Sequence, residues 1–224
     1  MKFEVEKSSV SEKFAGFFVS YRKILVAILA VLVVFVLGYG ITCSVTSSSS
    51  KKGIEDIDSI VYNLTKDSAS LDENALAERR ETALKSLVEY NKASGVVGVR
   101  ANMLSAEIKY SASLNEEAAS FWMAAAEKGK KAYTAPLCYF NAGVAFENAS
   151  KLDNAEKCYQ KAVEYKDFDQ ISHAKFSLGR IKETKGDVAG AIEVYSDLYG
   201  SVPEDSWAKL AESRLISLEN ADKK

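Results

Sequence analysis

An all-α architecture is predicted for this chain, with a single N-terminal transmembrane helix followed by an α-solenoid of repeated helix pairs. Three observations predict it. Residues 24–45 form a long uncharged run that is mostly apolar; Ala, Glu, Lys, Leu and Ser dominate beyond it, with only two prolines in the chain; and the C-terminal half repeats small and aromatic residues at a common offset.

The transmembrane helix is justified first. No charge occurs from Ile24 through Ser50, and Ile24 to Leu37 holds twelve Ile, Leu, Val or Phe among fourteen residues. At the per-residue insertion energies of such side chains, those twelve favour the bilayer by about 4–7 kcal/mol. The leader, 1–23, ends on Arg22 and Lys23 and carries five basic residues, whereas the nearest charges on the far side are Lys51 and Lys52. The positive-inside bias therefore predicts a cytoplasmic leader, a single pass through the cytoplasmic (inner) membrane over 24–45, and a periplasmic or extracytoplasmic C-terminal portion. A rival reading takes Cys43 as a lipidated first residue. Gly40, Ile41 and Thr42 before it lack the leucine and the small last residue of that pattern, and labelling with palmitate separates the two readings. Residues 46–53, small and polar, are expected to form a flexible tether.

About 170 residues remain, enough for one domain with its own core. Residues 54–95 read as irregular helices. Ile54, Ile57, Ile60, Val61 and Leu64 form one helical stripe. Asp72 is placed to cap a second helix, with Leu76, Ala83, Leu84, Leu87 and Tyr90 buried and Gly95 as its stop.

From 96 to 224 the chain repeats itself. Gly143 and Gly179, Ala155 and Ala191, and Tyr159 and Tyr195 are each 36 residues apart. An earlier copy from Val99 puts Ala106, Ala118 and Trp122 at the same places, offset by 37. The pattern L-G, then A-x3-F, then P resembles the tetratricopeptide repeat. Copies are placed at about 99–135, 136–171 and 172–205, the last with Leu178 and Gly179, Ala191 and Tyr195, and Pro203, followed by a capping helix over 204–222. Packing explains the residues. Small residues on the first helix are expected to meet small residues on the second, and Trp122, Tyr159 and Tyr195 to fill the gap to the neighbouring pair. Each pair is too thin to bury its own apolar face, so pairs must stack.

The resemblance implies a concave groove for a protein or peptide partner, lined by the first helix of each copy. The residues it would place there are Arg100, Met103, Glu107 and Tyr110; Leu137, Phe140, Val144 and Glu147; and His173, Phe176, Arg180 and Glu183. The layout of leader, span and degenerate repeats resembles the bacterial membrane-anchored family that includes an ancillary subunit of the Sec translocon. That resemblance implies a scaffold beside the secretion channel, handing polypeptides to periplasmic chaperones. A coordinator of envelope assembly or cell division would use the same groove, and a midcell location would favour it.

Other classes find little support. A net charge of −2 gives no field to recruit nucleic acid, so no nucleic-acid partner is expected. Cys43, Cys138, Cys158 and His173 show no paired ligand spacing, so neither a metal nor a cofactor is expected. No Ser-His-Asp or Cys-His arrangement and no Gly-rich phosphate loop is present, and catalysis is not expected. Cys138 and Cys158 fall on neighbouring predicted helices, where they either pair in an oxidising compartment or stay as small buried apolar groups.

Overall fold

The computed structural model describes Tyr21, Leu32, Phe35, Val36 and residues 48–221. Two compact units divide the chain, 1–52 and 53–224. In the first, Tyr21, Leu32, Phe35, Val36 and 48–52 have helical backbone, and Leu32, Phe35 and Val36 of the expected span are exposed. The remainder of the leader and of the span, Cys43 included, lies outside the described residues. Among the described residues no helix is long and apolar enough to cross a membrane. The expected tether departs from expectation where it is described, since residues 48–53 are helical. Serine and lysine are tolerated in helices, and no proline interrupts the segment.

In the second unit, α1 runs over 53–65 and a 3-10 turn over Ser68–Ser70. There follow α2 (Glu73–Lys92), α3 (Gly95–Ser111), α4 (Asn115–Lys128), α5 (Thr134–Asn148), α6 (Leu152–Val163), α7 (Ile171–Thr184), α8 (Val188–Ser201) and α9 (Ser206–Ala221). No strand occurs among the described residues, so this unit is all-α as its composition predicts.

Local chemistry sets the ends of these helices. Asp72 caps α2 by accepting from the Ala75 N–H at 2.8 Å. Gly95 does not stop α2, which already ends at Lys92; with φ of 62° it turns the chain directly into α3. The turn inside each of the three later pairs has one construction. Ser113, Ser150 and Gly186 adopt φ of 60°, 59° and 83°. The next residue in each case (Leu114, Lys151, Asp187) donates its N–H to a carbonyl five residues back at 2.8–2.9 Å. This is the Schellman closure, which satisfies the last carbonyls of the helix. Only the third copy uses glycine at the left-handed place, so its recurrence is hidden in the residue types.

Each helix from α2 to α8 packs against its successor, giving hairpins α3–α4, α5–α6 and α7–α8 with α9 laid on α8 and α7. Three apolar clusters result. Ile57, Leu87, Val97, Ala101 and Leu104 join α1, α2 and α3. The largest runs from α3 to α7 and includes Trp122, Tyr139, Phe140 and Tyr159. Ala191, Tyr195, Leu198, Ala208 and Ala211 join α8 to α9.

The first copy differs from the others because its neighbour is α2 rather than another repeat. Asn102 and Ser105, buried on α3, reach the end of α2. The Asn102 amide donates to the Asn91 carbonyl at 2.9 Å, and the Asn91 amide donates to Ser105 Oγ at 3.0 Å. Asn102 stands where the second copy has Tyr139, and Ser105 where the later copies have Ala142 and Leu178; these bonds satisfy both polar side chains.

Cys138 and Cys158 are buried free thiols, so the apolar reading holds for both. Burial pushes each up to about 12 from an ordinary value of 9.0. Neither is expected to react with an aromatic disulfide reagent at about pH 8 before the domain unfolds. Labelling of the folded chain at the rate of an exposed thiol would contradict this. Above pH 9 the unfolded chain ionises thiols that the folded chain keeps neutral. Their contribution to stability is therefore intact below pH 9 and lost as pH rises towards 12.

Candidate functional site

What Gly143 and Gly179 provide differs from the expected small-on-small contact. A β-carbon on Gly143 would sit 2.7 Å from Tyr159 Cε1, and one on Gly179 would sit 2.5 Å from Tyr195 Cε1. Each glycine therefore seats the flat ring of the tyrosine on its own partner helix. Ala155 and Ala191, fully buried one turn before those tyrosines, keep the two helices close. Ala106, Ala118 and Trp122 are likewise buried in the first copy.

Seated in this way, each ring carries its hydroxyl to a glutamate near the end of the first helix of its own pair. Tyr159 donates to Glu147 Oε2 at 3.1 Å, and Tyr195 donates to Glu183 Oε2 at 3.2 Å. Each glutamate is gripped in turn by an arginine of the next first helix. Arg180 donates to both oxygens of Glu147, with Nη2 at 2.8 Å from Oε2. Arg214 of α9 donates to both oxygens of Glu183, with Nε at 3.2 Å from Oε2. A Tyr–Glu–Arg unit thus recurs along the stack. The first copy lacks it: its place belongs to Tyr110, which packs on Trp122 at 5.3 Å between ring centres and accepts from Asn148. No oxygen there receives the Trp122 Nε1–H, which is buried without a partner.

Aromatic residues close the C-terminal part of the same face. Phe140 is buried beneath Tyr159, Phe168 and His173. His173 stacks on Trp207 of α9 at 3.8 Å with the rings 5° from parallel, and Phe176 meets Trp207 at 5.4 Å. Burial and the nearby Arg180 hold His173 below its ordinary value, favouring the neutral ring that such stacking suits. The groove expected from the repeat is therefore not open along its length. Phe140, His173, Phe176, Glu147, Arg180 and Glu183 are engaged with one another or with α9. The physical cause is that α9 supplies Trp207 and Arg214 as a further first helix would, 34 residues after His173 and Arg180. That spacing was present in the sequence, but α9 reads there only as a cap.

The first copy is arranged differently. Arg100 reaches out of the expected groove to pair with Asp58 of α1 at 2.5 Å. Met103, Tyr110, Leu137 and Val144 lie half-buried against the central cluster. Glu107 lines a cleft of about 440 Å³ between α1, the 3-10 turn, α2 and α3. Val61, Leu64, Leu76, Leu104 and Ile108 give it apolar surface, and Thr65, Ser68, Arg80 and Ser111 line it together with Glu107. Arg80 is paired with Glu73 at 2.8 Å, and among the described residues no cation is paired with Glu107. Glu107 is itself exposed, and partial desolvation by its surroundings shifts its carboxyl above the usual carboxylate range. Sequence reasoning found Glu107 but missed Leu76 and Arg80 as its neighbours, because α2 lies outside the repeats. Among the described residues no cluster of His, Cys, Asp or Glu is arranged to hold a metal ion.

Comparison with known proteins agrees with this geometry. Residues 137–169, which hold most of α5 and all of α6, match the family described as tetratricopeptide repeat. A "TPR repeat-containing protein" of Treponema pallidum (strain Nichols) is 32% identical over 103 residues, covering 46% of this chain and 43% of that relative. The match thus spans less than half the relative's length. Hairpin α5–α6 is a tetratricopeptide repeat, and the stack around it is a structure suited to protein–protein interaction.

Proposed function

We propose that this chain is a membrane-anchored extracytoplasmic scaffold that holds a segment of a partner protein in the cleft between α1, α2 and α3. The contrast between the two ends of the face carries this reading. Trp207 and two bidentate arginines cover the C-terminal part, whereas the cleft at Glu107 offers five apolar side chains and a carboxylate that is not ion-paired, its neighbour Arg80 being held by Glu73. An apolar side chain beside a basic group fits such a cleft, since burying the Glu107 charge is favourable only with a cation present. Support for the anchor comes from the uncharged run over 24–45, with Leu32, Phe35 and Val36 helical and exposed. The resemblance in layout to the ancillary translocon subunit suggests a partner at or near the secretion channel.

In-cell crosslinking tests the cleft. A photoreactive amino acid at Glu107 is expected to give a protein adduct, and the same group at Phe176 none. Adducts from 176 but not from 107 would overturn the choice of cleft. Recovery of neither translocon subunits nor envelope chaperones with the detergent-solubilised chain would remove the secretion partner while leaving the cleft to be judged by its adduct.

A further inference from the structure

A second surface lies at the edge of the domain where the chain enters it. Gly53 packs against Val97 in the first turn of α3, with a β-carbon there only 3.0 Å from the valine methyls. The α4–α5 connection lies on the same edge: Lys128 Nζ donates to the Ala93 carbonyl at 2.9 Å, and Gly129 faces Val99. Around this junction Gly95, Val96, Val99 and residues 127–134 line an open cleft of about 470 Å³. Two features set it apart from an ordinary solvated turn. Tyr133 is 92% exposed and Val96 57% exposed, an aromatic and an aliphatic side chain pointing outward with no neighbour to cover them. Three lysines, Lys128, Lys130 and Lys131, surround them against one acid, Glu127, in a chain that is acidic overall. Glu127 is taken up by Lys130 at 2.6 Å and by the Tyr139 hydroxyl at 2.5 Å. The next connection on this edge, 164–170, carries Glu164, Asp167 and Asp169 against Lys166 alone, so the net basic patch ends at α5.

We infer that this edge docks on a bilayer surface containing anionic lipid, Tyr133 and Val96 entering the interface while Lys130 and Lys131 face headgroup phosphates. Amphipathic aromatic rings favour the headgroup level, and lysines near an anionic surface are attracted over about a Debye length. The inference rests on the membrane-anchor reading, which supplies the bilayer, and on the charge and exposed apolar side chains of this edge. Docking would fix the orientation of the α1–α2–α3 cleft relative to the membrane.

The full chain, with Cys43→Ser and a polarity-sensitive dye on Tyr133→Cys or on Leu114→Cys, tests it in two kinds of vesicle. Leu114 is exposed in the α3–α4 turn, at the opposite end of α3. Emission from position 133 is expected to shift to the blue in phosphatidylcholine vesicles containing phosphatidylglycerol, relative to phosphatidylcholine alone, and to lose that shift with Lys130→Glu and Lys131→Glu together. Position 114 is expected to read the same in both lipids. Absence of a shift at 133 in a chain that resists alkaline carbonate extraction overturns the docking surface alone. Release of the chain by carbonate overturns the anchor, and the 133 signal on added anionic vesicles then decides docking by itself. A blue shift that grows with protein concentration without vesicles assigns the patch to a second copy of the chain and overturns the lipid reading.

Discussion

Tyr159→Ala is expected to lower the free energy of unfolding by about 3–5 kcal/mol, the range found when a large buried aromatic is truncated. Tyr159 is 1% exposed and touches Gly143, Phe140 and Glu147 at once. Removing it opens a void on the side of the glycine, where no side chain is present to fill it. The change also takes one donor from Glu147, leaving that carboxylate to Arg180. Such a loss is a large part of the about 5–15 kcal/mol that stabilises a typical domain. Tyr159→Phe separates the two contributions, since it keeps the ring and loses only the hydroxyl, at about 1 kcal/mol. Urea unfolding in detergent, followed by helical dichroism, measures both. A loss below about 1 kcal/mol for the alanine variant would mean the ring is not the wedge between its two helices.

The second large effect runs against helix propensity. Gly179→Ala would ordinarily stabilise a helix interior by about 1 kcal/mol. Here the added methyl meets the Tyr195 ring, which is fully buried and has no room to swing aside. Overpacking of this kind costs about 1–3 kcal/mol, so a net loss is expected. Coupling identifies the cause: with Tyr195→Leu in the background, the same alanine is expected to cost about 1 kcal/mol less, because the clashing edge is gone. An alanine variant as stable as the parent would remove the ring-seating role from Gly179.

The same two tyrosines show how far the sequence could be read. Their offset of 36 residues, shared with the glycines and alanines, was enough to predict helix pairs, because packing between paired helices depends on residue size. The contact itself was not legible. Size patterns do not say which small residue faces which ring, and the expectation of small against small gave way to glycine against tyrosine. The groove fared less well for a related reason. Position within the repeat places Phe140, His173 and Phe176 on the first helices, but whether a partner finds them depends on the helix packed against the last pair. Trp207 read as an end cover and proved to be stacked across that face. Glu107 was identified and its cleft was not, since Leu76 and Arg80 belong to a helix that no repeat spacing describes. Ser113 and Ser150 concealed turns that Gly186 alone betrayed, because the left-handed backbone is imposed by the closure of each helix end.

The uneven distribution of charge between the hairpins has a consequence for how the stack yields. Glu147 with Arg180, and Glu183 with Arg214, rivet the later junctions with ions, whereas Tyr110 and Trp122, at the corresponding places of the first copy, meet in apolar contact. Dissolved electrolyte weakens rivets of the first sort by screening, and strongly hydrated anions tighten the second. Added salt is accordingly expected to weaken the contacts of α7 with α5 and of α9 with α7 more than the apolar packing around Trp122.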